Sequence, residues 1–385
     1  MKKISKRQFF RSGLLSLKDA VSGFNPAEGI TNKLFDLGGV NKTHAEGPGK
    51  FSMESPWYEA TSKGALCLIC PNECVLREGG EGICRTHVVK DDKFYTIAYG
   101  NPCSVHSDPI EKKPLFHFLP ASKSFSIATA GCNLSCLNCQ NWEISQRSPK
   151  DTSNLDMFPE QVVRQAVKAG CKSIAFTYTE PVAFYEYVFD TSRLARDRGL
   201  KNLFISNGYI NERPLRSLCK YLDAANIDLK SFSAETYSKL NGGSLKPILN
   251  SLEILKEEGV WLEITNLVIP GYNDNMTMIA EMCEWLAANG FEDNPLHFSR
   301  FHPLYKLDSL ESTPLETLER ARDIALKAGI RYVYLGNVPG SSAQNTHCPD
   351  CNKVIIERQG FTILSKNMNG NACGFCNAEI AGVWE

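Results

Sequence analysis

From residue 124 to about 335 the chain alternates short apolar runs with longer amphipathic ones. Residues 125–128 read as a buried strand. Residues 159–169 repeat apolar positions at helical spacing, start on Pro159 and stop before Gly170, which predicts a helix. The same reading predicts strands at 173–178, 202–206, 225–229, 261–269, 296–301 and 332–335. It predicts helices at 182–198, 246–258, 276–289 and 313–327. Strands alternating with helices predict an α/β fold around a parallel sheet. Six or seven units suit a full or partial barrel; periodicity alone leaves a flat doubly wound sheet open.

In either architecture the working residues stand on loops that leave the strands. A cysteine trio follows the first strand, and Thr179, Glu180 and Pro181 follow the second. Asn207-Gly208 follows the third, Asp228 and Lys230 close the fourth, Pro270-Gly271 the fifth and His302-Pro303 the sixth. Residues far apart in sequence can therefore converge at one end of the layer.

Charge changes this picture little. The 385 residues carry 42 Lys+Arg against 43 Asp+Glu, a net charge of −1, so no nucleic-acid partner is expected. No run approaches the ~20 apolar residues of a membrane span. Ser5-Lys6-Arg7-Gln8-Phe9-Phe10-Arg11 is similar to a twin-arginine export signal with one arginine changed to lysine. The stretch after it is weakly apolar, carries Lys18 and Asp19, and lacks a clear cleavage site, so a retained lead-in and a cytoplasmic location are expected, with export as the alternative.

Cysteine changes it a great deal. There are fifteen, and eleven fall in tight groups. Pairs two or three residues apart are poor disulfide partners and good metal clamps. Cys103, Cys171, Cys219 and Cys283 stand alone, the last three reading as small buried apolar residues. Cys132, Cys136 and Cys139 have the spacing C-x3-C-x2-C. Three thiolates can wrap one corner of a four-iron cluster and leave one iron open; a zinc ion completed by a distant ligand is the alternative. Cys348, Cys351, Cys373 and Cys376 form two C-x2-C knuckles around strand-like runs at 354–358 and 361–364. This is a zinc-ribbon pattern, with a rubredoxin-like iron site as the rival. Cys67, Cys70, Cys74 and Cys84 suit zinc or a second cluster, zinc being favoured, with Arg85 and His87 as supporting groups. The expected division is a loosely ordered lead-in at 1–60, a Cys-rich module at 61–120, the α/β barrel at 121–340 and a ribbon-like module at 341–385. Were all eleven grouped cysteines to take zinc, the chain would be a non-catalytic adaptor.

The C-x3-C-x2-C loop after a first barrel strand resembles that of the radical S-adenosylmethionine (SAM) superfamily. Within it, Cys136-Leu137-Asn138-Cys139-Gln140-Asn141-Trp142-Glu143-Ile144-Ser145 is similar to the radical SAM enzyme of the AmmeMemoRadiSam system, a group related to the activating enzymes of glycyl radical enzymes. The likeness runs from about Cys67 to Trp384 and includes Asn337-Val338-Pro339-Gly340 and Gly382-Val383-Trp384. It implies a 4Fe–4S cluster on Cys132, Cys136 and Cys139, whose open iron binds SAM. Reductive cleavage then yields a 5′-deoxyadenosyl radical that takes hydrogen from a partner protein or a small molecule. A low-potential donor of the flavodoxin or ferredoxin type is implied as well. The resemblance sets Thr179, Glu180 and Pro181 at the methionine ammonium, Lys230 at its carboxylate with Asp228 orienting it, and Asn207 near methionine or ribose. It sets residues 268–271 beside adenine and His302 near SAM. Asn138 stands where relatives carry an aromatic ring over adenine, so an amide offers edge hydrogen bonds in place of face contact.

Overall fold

Parallel strands covered on both faces read as unbroken apolar runs, and the centre of the molecule is built from them. The computed structural model describes residues 42–43 and 48–385. The twin-arginine-like segment and most of the expected lead-in lie outside the described residues.

Eight strands make the main sheet: β1 (Ser104–Pro109), β2 (Lys123–Ala128), β3 (Ser173–Phe176), β4 (Lys201–Ser206), β5 (Ala224–Asp228), β6 (Trp261–Val268), β7 (Leu296–Arg300) and β8 (Val333–Gly336). Each pairs with the next in sequence, from β1 at one edge to β8 at the other. β1 runs antiparallel to β2 and all other pairs are parallel. A doubly wound sheet reverses its order at a switch point; this sheet never does, and its two edges do not pair. The architecture is a partial α/β barrel.

Six helices return the chain between strands: α1 (Pro159–Lys168), α2 (Tyr185–Arg196), α3 (Glu212–Cys219), α4 (Leu245–Glu257), α5 (Met276–Ala288) and α6 (Leu315–Lys327). Two departures from the sequence reading have local causes. The helix expected at 182–198 begins as a 3-10 turn, Pro181–Phe184, because the Glu180 carboxylate accepts the Val182 N–H and Phe184 leaves helical geometry. Strand β1 and helix α3 were not anticipated. β1 carries little apolar alternation in Ser-Val-His-Ser-Asp-Pro. α3 holds Pro214 in its first turn, where no intrahelical N–H bond is lost.

The strand register fixes what fills the barrel. Ala175, Leu203 and Ala224 are neighbours across β3, β4 and β5 and pack on Ile110, Leu115, Phe118 and Leu119 of the segment after β1. One layer further along the strands, Asn226 Nδ2 donates to Pro114 O, and the buried Glu263 carboxylate accepts from the N–H groups of Phe116 and His117. Residues 110–119 therefore plug the start of the barrel. The other end, where the strands finish, is left to the polar loops.

Two small modules close the molecule. Before β1, Tyr58–Thr61, Gly64–Cys67 and Val75–Leu76 form one small sheet, and Met53–Glu54, His87–Lys90 and Lys93–Thr96 another. At the far end, Val354–Gln359 and Thr362–Lys366 form a hairpin. Val383 bonds in both directions to His117 and Leu119, so the closing Gly382-Val383-Trp384 is laid against the plug. Among the described residues no helix is long and apolar enough to cross a membrane.

Candidate active site

The loop after β2 begins at Gly131, whose φ of 100° suits glycine and whose missing Cβ would lie 2.4 Å from Cys84 O. From there Cys132, Cys136 and Cys139 follow. The loop is pinned like a short extra strand: Ser135 N–H bonds Asn241 O, Leu137 N–H bonds Leu240 O, and Lys306 N–H bonds Leu137 O. Trp142 stacks on Tyr305 at 5.1 Å behind it.

Every thiol of the trio has a polar neighbour. Asn207 Nδ2 stands 3.9 Å from Cys132 Sγ, Asn241 Nδ2 donates to Cys136 Sγ at 3.2 Å, and Ser145 Oγ lies 3.0 Å from Cys139 Sγ. Burial pushes the Cys132 and Cys139 thiols above their ordinary range. Such thiols lose their protons when a metal takes them. Two buried amide oxygens nearby, Asn138 Oδ1 and Asn241 Oδ1, have no protein partner, and a buried polar atom left unpaired is costly.

Glu180 is buried at the end of β3. Its Oε1 accepts from Val182 N–H at 3.0 Å and Ser206 Oγ at 2.7 Å, and its Oε2 accepts from Asn207 N–H at 2.8 Å. Two carboxylate oxygens offer about four acceptor sites, so Oε2 keeps one free. Burial pushes the carboxyl up to about 7, against the pull of its donors. Thr179 Oγ1 donates to Thr129 O and ties this turn to the trio's strand; Pro181 opens the turn after it. Lys230 Nζ bonds Asp228 Oδ2 at 2.7 Å just past β5. Burial works against that ammonium, but Asp228 and the Cys136 thiol beyond it hold its pKa above the usual lysine range. The residues read from sequence thus fall into two sets beside the trio: Glu180, Ser206 and Asn207 toward Cys132, and Asp228 and Lys230 toward Cys136. His302 lies on the loop after β7 with its Nδ1 on Ser312 Oγ at 3.1 Å, and no hydrogen bond links it to the trio.

Sequence reasoning missed Asn133, Ser145 and Asn241. Asn133 accepts from Asn207 Nδ2, donates to Tyr209 O, and receives Asn72 Nδ2 on its carbonyl. Only the C-x3-C-x2-C loop itself pointed to Asn133 and Ser145; nothing in the sequence marks Asn241, 105 residues from Cys136.

The C-terminal cysteines form a different kind of site. Cys348 and Cys376 Sγ lie 3.5 Å apart, Cys351 and Cys373 Sγ 3.8 Å, and all four fall within 4.8 Å of one another. Four thiolates at ~2.3 Å from one tetrahedral zinc lie about 3.8 Å apart, so the donor set fits a single ion. Both knuckles turn alike, with Asn352 and Asn377 at positive φ and matching N–H bonds back to Cys348 and Cys373. Among the described residues neither the central trio nor the Cys67 group forms such a set. For the trio, the sulfur-directed donors and the two amide oxygens without a protein partner fit a cluster with a bound ligand.

Residues 126–286 match the radical SAM superfamily. The chain is 42% identical over 330 residues to an uncharacterized protein of Methanocaldococcus jannaschii, covering 85% of this chain and 98% of that protein. It is 24% identical over 220 residues to the pyruvate formate-lyase 1-activating enzyme of Escherichia coli, covering 53% and 89%. A radical SAM methyltransferase from Sphaerobacter thermophilus superposes with a TM-score of 0.45 and 17% identity over 59% of this chain and 70% of that one. Carrying its cysteine trio on the loop that leaves the first parallel strand of a partial barrel, this chain contains a radical SAM superfamily domain over residues 126–286 and is an enzyme of that type.

Proposed function

We propose that Cys132, Cys136 and Cys139 hold a 4Fe–4S cluster and that the enzyme, of the AmmeMemoRadiSam type, takes hydrogen from a partner protein in the manner of the related activating enzymes. When bound, the cluster supplies the electron that cleaves SAM to methionine and a 5′-deoxyadenosyl radical. The observation that carries this reading is the trio itself: three thiols, each with a polar neighbour, beside two buried amide oxygens without a protein partner. In this reading the free acceptor site of Glu180 receives the methionine ammonium and Lys230, oriented by Asp228, meets the carboxylate. Asn138 takes the adenine edge, Asn207 lies by the methionine or ribose, and His302 closes the far side. Thr179 and Pro181 set the turn that presents Glu180.

Similarity to an activating enzyme supports a protein substrate and a flavodoxin- or ferredoxin-type donor, working in the cytoplasm. The C-terminal tetrad takes a structural zinc, and the chain divides near residues 60, 120 and 340. Superfamily membership sets aside the non-catalytic adaptor. The test is 5′-deoxyadenosine formation by the anaerobically reduced enzyme with and without candidate partner proteins. Turnover that rises with one protein and leaves a radical on it supports the proposal. Turnover that follows a metabolite and ignores every protein contradicts it in favour of a small-molecule substrate.

A further inference from the structure

The second group of four cysteines does not match the first. Cys67 ends a hairpin strand, Cys70 and Cys74 sit on the turn that follows, and Cys84 lies on the next loop. Cys67 N–H bonds Cys74 O, and Glu73, at positive φ, bonds back to Cys70 O, which folds the three onto one side. Cys67 and Cys70 are buried and Cys74 and Cys84 half-buried. A tetrahedral zinc would draw the four sulfurs to about 3.8 Å, given Zn–S bonds of ~2.3 Å. The ribbon cysteines adopt that spacing in this same molecule. The N-terminal four form no such set among the described residues. Thiols that converge but stay spread suit the corners of a cluster better than one ion.

Their surroundings point the same way. Thr86 Oγ1, which donates to Ala183 O, lies 3.1 Å from Cys84 Sγ, and His87 Nδ1 stands 3.5 Å from that sulfur; the opposite His87 nitrogen pairs with buried Glu186 at 3.2 Å. Hydrogen bonds onto ligand sulfur are among the means by which proteins set a cluster's potential. The group also abuts the central loop. Asn72, between Cys70 and Cys74, donates to Asn133 O at 2.7 Å, and the Asn133 side chain reaches the Cys70 thiol. On the other flank of Cys132, a Cβ on Gly131 would strike Cys84 O at 2.4 Å and Thr86 Cγ2 at 2.6 Å. Both neighbours of Cys132 in the chain therefore touch the N-terminal group.

We propose that Cys67, Cys70, Cys74 and Cys84 hold a second iron–sulfur cluster, fully ligated by protein and packed against the loop of the first. Its ligands are independent of the trio, so it can stand or fall apart from the SAM chemistry. It departs from the zinc favoured by sequence spacing alone.

The test is an iron, sulfide and zinc count on the full chain reconstituted without oxygen, paired with the triple variant Cys132→Ala, Cys136→Ala, Cys139→Ala. The wild type is expected to bind one zinc and, beyond the four irons of the trio's cluster, two or four more. The triple variant is expected to keep that extra iron with matching sulfide, and its reduced electron paramagnetic resonance signal should ignore added SAM. Two zincs with only four irons in the wild type would overturn the inference while leaving the radical SAM reading intact. So would a triple variant that holds zinc without iron. Should the variant fail to fold, the wild-type count decides alone.

Discussion

Asn241 reaches Cys136 from outside the cysteine loop, and its amide is the only donor bonded to that sulfur among the described residues. A donor aimed at a ligand sulfur favours the more negative, reduced state of a cluster. Asn241→Leu should therefore lower the reduction potential, by about 40 mV if the bond is worth ~1 kcal/mol. Redox titration of the reconstituted protein measures this; an unchanged potential would remove Asn241 from the account. Cys136→Ala should abolish 5′-deoxyadenosine formation while leaving ribbon zinc in place, read by product chromatography and metal analysis. At this scale the sequence was partly legible. Cysteines, Glu180 and Lys230 stand at strand ends, where position alone marks them. Asn241 and Asn133 could not be found so, because their roles come from contacts between segments that meet only in the folded barrel. Glu180, read from sequence as a ligand-binding carboxylate, also caps the turn at Val182 and orders Asn207.

Among the elements, the plug at 110–119 joins the barrel to the C-terminal module. His117 is buried, with Nδ1 on Ala381 O at 2.7 Å and Nε2 on the Tyr334 hydroxyl of β8. Burial pushes its pKa down to about 4, despite the nearby Glu263 carboxylate. An unfolded histidine titrates near ~6.5. Between those values the unfolded chain holds the extra proton, so stability falls as the pH drops from about 6.5 toward 4. His117→Gln should flatten that part of the profile, measured by denaturant unfolding at stepped pH; an equal slope in wild type and variant contradicts the assignment. Arg358, on the hairpin, gives its guanidinium to Phe116 O, Gln344 O and Thr346 Oγ1. Arg358→Met should cost about 2–3 kcal/mol in denaturant unfolding, since it takes this donor from the Phe116 and Gln344 carbonyls. The repeating helices and strands were legible because periodicity records burial. β1 was not, because an edge strand of mixed polarity leaves no such record, and neither was the plug, whose residues are fixed by Glu263 and Asn226 from other strands.

On the scale of the whole molecule, the ribbon has little core of its own. Ile355, Ile356 and Trp384 pack with Phe116, Tyr332 and Tyr334 of the barrel end. With the proposed zinc bound, its stability depends on both that ion and this shared layer. Chelation of zinc should loosen the tail, expose Trp384 and shift its fluorescence to longer wavelength, with the trio's iron retained. No spectral change on zinc removal would contradict the structural role.

The reading as a whole turns on one iron that the protein leaves for SAM. Electron paramagnetic resonance of the anaerobically reduced enzyme, recorded before and after SAM is added, tests it most directly. The account predicts that SAM shifts the g-values of the trio's signal and that Cys136→Ala lacks this signal. A spectrum indifferent to SAM, from protein with its full iron content, would contradict it.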